Sequence, residues 1–292
     1  MGYAHISNLY RPEAQTILLF RECYALEKVH GTSSSVSWRD GSVHLHTGHK
    51  SAENFRRAIC GQNDDLIPLR DLFVALGHEK VTVYGEAYGG SEHKQSHRYG
   101  PVLKFVAFDV QIGDVWLAIP NATDVCAKLG LEFVHYERVP TDLPALDAQR
   151  DAPSEQAKRN GVEGDRSREG VVLRPLVEVT MSNGERICAK HKRAEERETA
   201  TERPVVDPSK LQVLADAEAI AMEWVTEMRL RHVLSKLPAA TDVSHTRDVI
   251  MSMLDYVLRE GAGEIVDSKE ARGTISKRAS QLFRQHLAAR DA

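Results

Sequence analysis

The chain has 292 residues, 42% of them hydrophobic and 27% charged, with a formal net charge of -4. Such a chain can bury a core and form one or two domains, and its composition is ordinary for a soluble globular protein. The charge excludes a blanket positive field, so a polynucleotide partner would have to be met by local patches.

Cys23, Cys60, Cys126 and Cys188 are widely spaced, with no C-x-x-C pair. Neither a zinc site nor a disulfide framework is indicated, and free thiols fit a reducing cytoplasm. Met1 to Arg11 lacks an apolar signal core, and no run is long enough to span a bilayer, so a cytoplasmic location without a membrane partner is expected. No internal repeat is visible.

The apolar run Tyr24-Ala25-Leu26 leads into Glu27-Lys28-Val29-His30-Gly31-Thr32-Ser33. A buried or half-buried lysine is costly unless its charge is removed or paired, which makes Lys28 a candidate amine nucleophile. On these residues alone, an ordinary strand-end lysine before a turn is the plainer reading. Ser34 to His46 alternates around Asp40-Gly41 and predicts a hairpin, with Lys28 on or just after a strand of the same sheet.

Ala52 to Gly61 and Asp64 to Leu76 read as helices, and Lys80 to Tyr88 as a strand carrying Glu86. Val102 to Asp109 reads as a strand, Gly113-Asp114 as a turn, and Asn121 as a helix start. Arg138 to Arg168 is polar and proline-punctuated, mostly connection with room for a short helix. Glu169 then opens a buried strand, REGVVLRP. Val177 to Lys190 predicts a second hairpin around Asn183-Gly184, ending in Ala189-Lys190-His191-Lys192.

Glu195 to Pro204 reads as a charged linker. Asp207-Pro208 reads as a helix start. Ala217, Ile220, Trp224, Met228 and Val233 recur at helical spacing up to Pro238. A second helix spans about Ser244 to Glu260, stopped by Gly261, and Ser268 caps a third. Strands thus dominate the first two thirds and helices the last.

Lys28, Glu86, Glu169 and the Lys190/Lys192 pair fall at strand ends. Residues two apart on a strand share a face, so both lysines can point into one cleft. Each alone reads as plainly as a solvated strand end. Together they suit attack by an amine on a nucleotide α-phosphate. The lysine must shed its proton, which a desolvated site with nearby cations favours. Lysines stabilise charge building on phosphate oxygens. A carboxylate such as Glu169 can hold a hard divalent cation, Mg²⁺ most naturally. Phe108 could stack on a base, though a core role is as good a reading.

Five stretches in order now carry a resemblance. EKVHGT, YGEAYGG, FVAFDV, REGVVLRP and ICAKHK resemble the motifs of the covalent nucleotidyltransferase superfamily of ATP-dependent ligases and capping enzymes. Within it the chain is similar to the RNA ligase 2 family of T-even phage type, and EWVTEMRLRHVLSKL resembles the first long helix of that family's C-terminal domain. The resemblance implies an α+β fold: an ATP-grasp-like nucleotidyltransferase domain of two antiparallel sheets, with ATP between them, and a small all-α C-terminal domain. The expected boundaries are residues 1–195, a linker over 196–206, and 207–292.

It implies that Lys28 carries covalent AMP and that Glu27 and Val29 line the adenine pocket, with His30 as the motif's histidine. Glu86 would contact ribose and Phe108, followed by Asp109, would stack on adenine. Glu169 is the metal-linked carboxylate, with Glu86 a second metal candidate, and Lys190 and Lys192 meet the phosphate. ATP and Mg²⁺ are implied as donor and metal. RNA with 3′-hydroxyl and 5′-phosphate ends is the implied partner, joined through lysyl-AMP and RNA-adenylate, with nicked duplex RNA foremost and a monomer favoured.

The chain departs from the family at three places. His46, before Thr47-Gly48, stands where the family has a phosphate-binding arginine, and histidine carries full charge only below about pH 6.5 unless shifted. Ser33 replaces an asparagine, and Arg174 a lysine. A DNA ligase is an alternative, opposed by His30 and by a helical tail in place of an OB-fold. A binding module that keeps the fold without catalysis is another, favoured only by His46 and Ser33. His44, His49, His93 and His97 lack metal-ligand spacing. Lys94 and Arg98 could touch a polynucleotide backbone but read more plainly as solvated loop charges, and Arg229, Arg231, Lys277, Arg278 and Arg284 are weak candidates for RNA phosphate contacts.

Overall fold

A computed structural model describes residues 2–48, 52–61, 65–90, 96–164, 166–201, 205, 216–237, 240 and 242–291. The Asp207-Pro208 helix start, His49, His93 and Lys94 lie outside these residues. The chain divides into two compact units, Met1–Leu9 with Glu13–Arg193, and Tyr10–Pro12 with Ala194–Ala292. Among the described residues no helix is long and apolar enough to cross a membrane.

The first unit opens with β1 (Glu22–Lys28), then β2 (Gly31–Arg39) and β3 (Ser42–Thr47). The turn between β2 and β3 has positive φ at Asp40 (52°) and Gly41 (70°), the backbone that an Asp-Gly hairpin turn requires. Helices α1 (Ala52–Cys60) and α2 (Ile67–Leu76) follow, then β4 (Val81–Tyr88), β5 (Lys104–Ile112), β6 (Val115–Trp116) and α3 (Ile119–Lys128). Next come β7 (Tyr136–Pro140), α4 (Leu143–Asp151), α5 (Glu155–Arg159), β8 (Gly170–Pro175) and β9 (Ala189–Lys192).

These strands form two antiparallel sheets, ordered β7-β1-β8-β9 and β3-β2-β4-β5-β6. Lys28 therefore ends a strand of the four-stranded sheet, whereas the hairpin that follows it belongs to the five-stranded one. The expectation of one shared sheet is corrected: the chain crosses between sheets at Val29-His30. Leu26, Val29, Val36, Trp38, Phe55, Phe73, Val83 and Phe105 belong to one buried cluster. Trp38 stacks on Phe73 of α2, with ring centroids 6.0 Å apart.

The polar stretch after Arg138 holds more structure than its prolines suggest. Asp142 accepts from the Ala145 amide and Ser154 from the Ala157 amide, so each caps a helix. Pro144 sits in the first turn of α4, where its missing N–H costs nothing. The second predicted hairpin is present but short: the bridge Thr180↔Arg186 is flanked by the Met181 amide donating to the Glu185 carbonyl and the Ile187 amide to that of Val179, around Asn183-Gly184, and β9 is the strand that follows. Buried Cys23 and Cys126 are free thiols, each pushed up to about 12 by burial.

Gly170 fixes how closely β8 and β9 approach. Its φ is +148°, and a Cβ there would lie 2.2 Å from the His191 carbonyl oxygen and 2.8 Å from Lys192 Cα. Gly170→Ala is therefore expected to cost about 2–4 kcal/mol. The measurement is the urea midpoint, with the slope unchanged.

The second unit is helical: α6 (Ala217–Trp224), α7 (Glu227–Lys236), α8 (Thr246–Glu260) and α9 (Lys269–Asp291). The single helix expected up to Pro238 is two, broken where Thr226 accepts from the Arg229 amide and restarts the chain as a cap. Ser268 caps α9 as expected. Ile220, Trp224, Leu230, Val233, Met253 and Phe283 are among its buried core. Arg11 pairs with buried Glu264 at 2.8 Å, which explains why the short Tyr10–Pro12 segment belongs with the helices. Glu198, from the stretch read as a linker, lies 3.4 Å from Arg229 and 2.8 Å from His232.

Candidate active site

Strand register brings three of the expected residues together. Lys28 pairs with Gly170 on one side, and Gly170 pairs with Lys192 on the other. Glu169, just before Gly170, is thus set between two lysine-bearing strands. Its Oε2 is 2.9 Å from Lys28 Nζ and its Oε1 is 3.0 Å from Lys192 Nζ. The carboxylate side chain is only 4% exposed, the Lys28 side chain 25%. One buried carboxylate thus faces two lysine side chains. Lys190 alternates onto the face of Lys192, and its backbone is held by Ser7 and Leu9 of the N-terminal segment. His191 points to the opposite face, 2.7 Å from Asp147.

His30 adds a second contact to the same carboxylate. Its Nδ1 lies 3.4 Å from Glu169 Oε2, and its backbone amide donates to the Tyr99 hydroxyl at 3.1 Å. Arg98 Nη1 is 3.2 Å from His30 Nε2. Arg98 was expected to be a solvated loop charge; its guanidinium turns inward instead. Neither Arg98 nor Tyr99 had a signal in the sequence, because both reach His30 across a loop rather than along a strand.

Glu27 and Val29 are placed differently. Glu27 alternates to the face opposite Lys28, where its carboxylate accepts from Ser154 Oγ at 2.5 Å and from the amides of Glu155 and Gln156 at 2.9 and 3.2 Å. It thereby anchors the start of α5. Val29 is 5% exposed and lies in the apolar core.

Ser33, Glu86 and His46 lie on the five-stranded sheet. Ser33 pairs with Glu86, Ser35 with Tyr84 and Ser35 with His46, so these side chains share one sheet face. Glu86 is half-buried, while Ser33 and His46 are exposed. A Cβ on Gly31 would lie 2.7 Å from Glu86 Cγ and 2.3 Å from the Ala87 carbonyl oxygen. Glycine at this position lets Glu86 rest against the backbone next to His30. No such contact ties His46 to Lys28 among the described residues.

Phe108 sits at a register shift: Tyr84 pairs with Asp109 but Gly85 with Ala107, leaving Phe108 as the extra residue of a bulge. The Tyr3 ring meets it edge-on at 4.9 Å. Asp109, fully buried, accepts from Tyr3 and Arg186 at 2.6 Å and lies 2.7 Å from Arg174. Arg174 also donates to the Leu117 carbonyl and Glu178. It joins β8 of one sheet to β5 of the other.

Among the described residues no group of three or more His, Cys, Asp or Glu side chains is gathered for a metal ion. Glu86 stands on the five-stranded sheet, and Glu169 immediately precedes β8 of the four-stranded one. With both Glu169 oxygens paired to lysines, an all-protein metal cage does not fit. One carboxylate plus phosphate oxygens is the usual Mg²⁺ arrangement, and the residues fit a cation that arrives with a nucleotide.

The fold is that of an RNA ligase nucleotidyltransferase, with a helical C-terminal region. A family model for RNA ligase matches residues 21–192, more than half of the sequence, and the chain belongs to the RNA ligase family. Two mutant structures of the Naegleria gruberi RNA ligase, each with ATP and Mn, share this fold. One matches at a TM-score of 0.50 and 14% identity, covering 67% of this chain and 57% of that one. The other matches at 0.50 and 15%, covering 67% and 56%. The match thus spans little more than half the length of those structures. No curated protein matches the chain.

Proposed function

We propose that this chain is an ATP-dependent RNA ligase that joins 3′-hydroxyl and 5′-phosphate ends through a lysyl-AMP on Lys28. The observation that carries the reading is the placement of Lys28 and Lys192 on one buried carboxylate, Glu169. In the first step Lys28 Nζ, as the neutral amine, attacks the ATP α-phosphorus; a P–N bond forms as the nitrogen gives up a proton to solvent, the bond to the β-phosphate bridge breaks, and pyrophosphate leaves. In the second, an RNA 5′-phosphate oxygen attacks that phosphorus, the P–N bond breaks, and the amine is returned. In the third, an RNA 3′-oxygen attacks the activated 5′-phosphorus and expels AMP.

Each step is an in-line phosphoryl transfer in which positioning and charge neutralisation dominate. Lys192 and Lys190 supply that charge. Glu86 receives the ribose hydroxyls and Phe108 offers its ring to adenine. Glu169 is the residue that would hold Mg²⁺, which supplies Lewis-acid polarisation of phosphate oxygens when bound. The helical unit contributes grip on RNA through exposed cations such as Lys277 and Arg284. Arg229 is withdrawn from that role: it is 1% exposed, donates to the Trp224 carbonyl, and lies against Glu198. Family membership and the helical unit favour RNA over DNA ends, and nicked duplex RNA is the substrate proposed.

The test is α-labelled ATP with Mg²⁺, followed by denaturation. Label is expected to stay on the chain, and nicked duplex RNA is expected to be sealed faster than single strands. A chain that takes no label would be a binding module with this fold.

A further inference from the structure

The sequence assigns Arg98 to solvent, yet its guanidinium closes a line of contacts that ends at the Lys28 amine. The line runs from Arg98 Nη1 to His30 Nε2 at 3.2 Å, from His30 Nδ1 to Glu169 Oε2 at 3.4 Å, and from that oxygen to Lys28 Nζ at 2.9 Å. A guanidinium has donors only. Facing that donor, a neutral His30 ring accepts at Nε2 and carries its hydrogen on Nδ1, toward the carboxylate. The other tautomer would set N–H against N–H at Arg98 and a lone pair against an anion at Glu169.

The turn that carries Arg98 is built to hold this position. Its next residue, Tyr99, accepts from the His30 amide, so backbone and ring of one histidine are gripped by consecutive residues. The turn is fixed in place by Asn160, whose side chain donates to the Tyr99 carbonyl at 2.9 Å and accepts from Lys104 at 2.8 Å. The Gly90 amide donates to the Gly100 carbonyl at 2.9 Å, next to Tyr99.

We propose that Arg98 is a positioning residue for nucleotidyl transfer: by donating to His30 Nε2 it selects the ring tautomer whose Nδ1–H holds Glu169 against Lys28. The proposal rests on the reading of Lys28 as the nucleophile. Outer partners that fix a ring and a carboxylate commonly matter 10- to 100-fold, as they do around metal ligands. Arginine is suited to the task because it is always charged and never accepts.

The experiment uses the full chain in three forms, wild type, Arg98→Met and Arg98→Lys. Nitrogen-15 spectra of the histidine rings, with the His30 signals assigned by their loss in His30→Asn, read the tautomer. Single-turnover labelling from α-labelled ATP reads transfer. Arg98→Met is expected to lose the Nδ1–H signature and to label about 10- to 100-fold more slowly at saturating ATP, with half-saturating ATP within about twofold of wild type. Arg98→Lys keeps a donor and is expected to recover the signature and most of the rate.

A labelled wild type with an unmoved ring signature or an unmoved rate in Arg98→Met overturns this proposal alone. So does an equal loss in both variants with lowered melting temperatures, which would assign Arg98 to the fold. A wild type that takes no label sinks the reading of Lys28 and this proposal with it.

Discussion

Lys28→Arg is expected to fold like the wild type and to lose label transfer from ATP by about 10⁴-fold or more, to background. Arginine keeps a positive charge opposite Glu169, so the ion pair seen at 2.9 Å survives in kind. What it lacks is a neutral amine, because a guanidinium does not give up its proton in proteins. Lys28→Ala should be as inactive. It leaves Glu169 paired with Lys192 at 3.0 Å, and the Lys28 side chain is a quarter exposed. Its stability cost is therefore expected to stay near 1 kcal/mol or below. Thermal melting and labelling of the same samples separate the two effects. A labelled Lys28→Ala chain would move the covalent site elsewhere.

The parts of the site that lie along one strand were legible, and those that cross between strands were not. EKVHGT, REGVVLRP and AKHK are local spellings, and the alternation of β9 alone puts Lys190 and Lys192 on one face. Nothing local says that Lys28 and Gly170 are paired, since register is decided by the burial of whole strands. The hairpin after Lys28 misled for that reason: adjacency in sequence suggested one sheet, while Val29 and His30 carry the chain to another. Prolines at 140, 144 and 153 argued for a loop, yet Asp142 and Ser154 cap helices behind them. In the helical unit, Arg229 takes a buried place beside Trp224, where its Nε donates to the Trp224 carbonyl and its Nη1 lies 3.4 Å from Glu198. A periodicity of apolar residues has no means of finding a buried arginine.

Asp109→Leu is expected to destabilise the first unit by about 3–5 kcal/mol, the cost of removing one partner from a buried ion cluster. Asp109 is 0% exposed and lies within 2.7 Å of both Arg174 and Arg186. Burial first, and the Asp109 charge next, push the Tyr3 phenol well above its usual value, so its hydroxyl stays a donor to that carboxylate. Removing Asp109 leaves Glu178 as the one carboxylate paired with these two largely buried guanidinium groups among the described residues, and it takes from the Tyr3 hydroxyl its carboxylate acceptor. Glu178 limits the damage, which is why the expected loss is not larger. Urea unfolding followed by tryptophan fluorescence reports on this region directly, because Arg186 lies 4.0 Å over the Trp116 ring. Arg186→Leu combined with Asp109→Leu should cost less than the sum of the two, since each single change strands the other's charge. Additive losses would mean that the two residues do not act as a pair. Asp109 also follows the bulged Phe108, so the same variant is expected to raise the ATP concentration needed for half-maximal labelling. An unchanged ATP requirement in the folded fraction would separate the ion cluster from the ring that the proposed mechanism places on adenine.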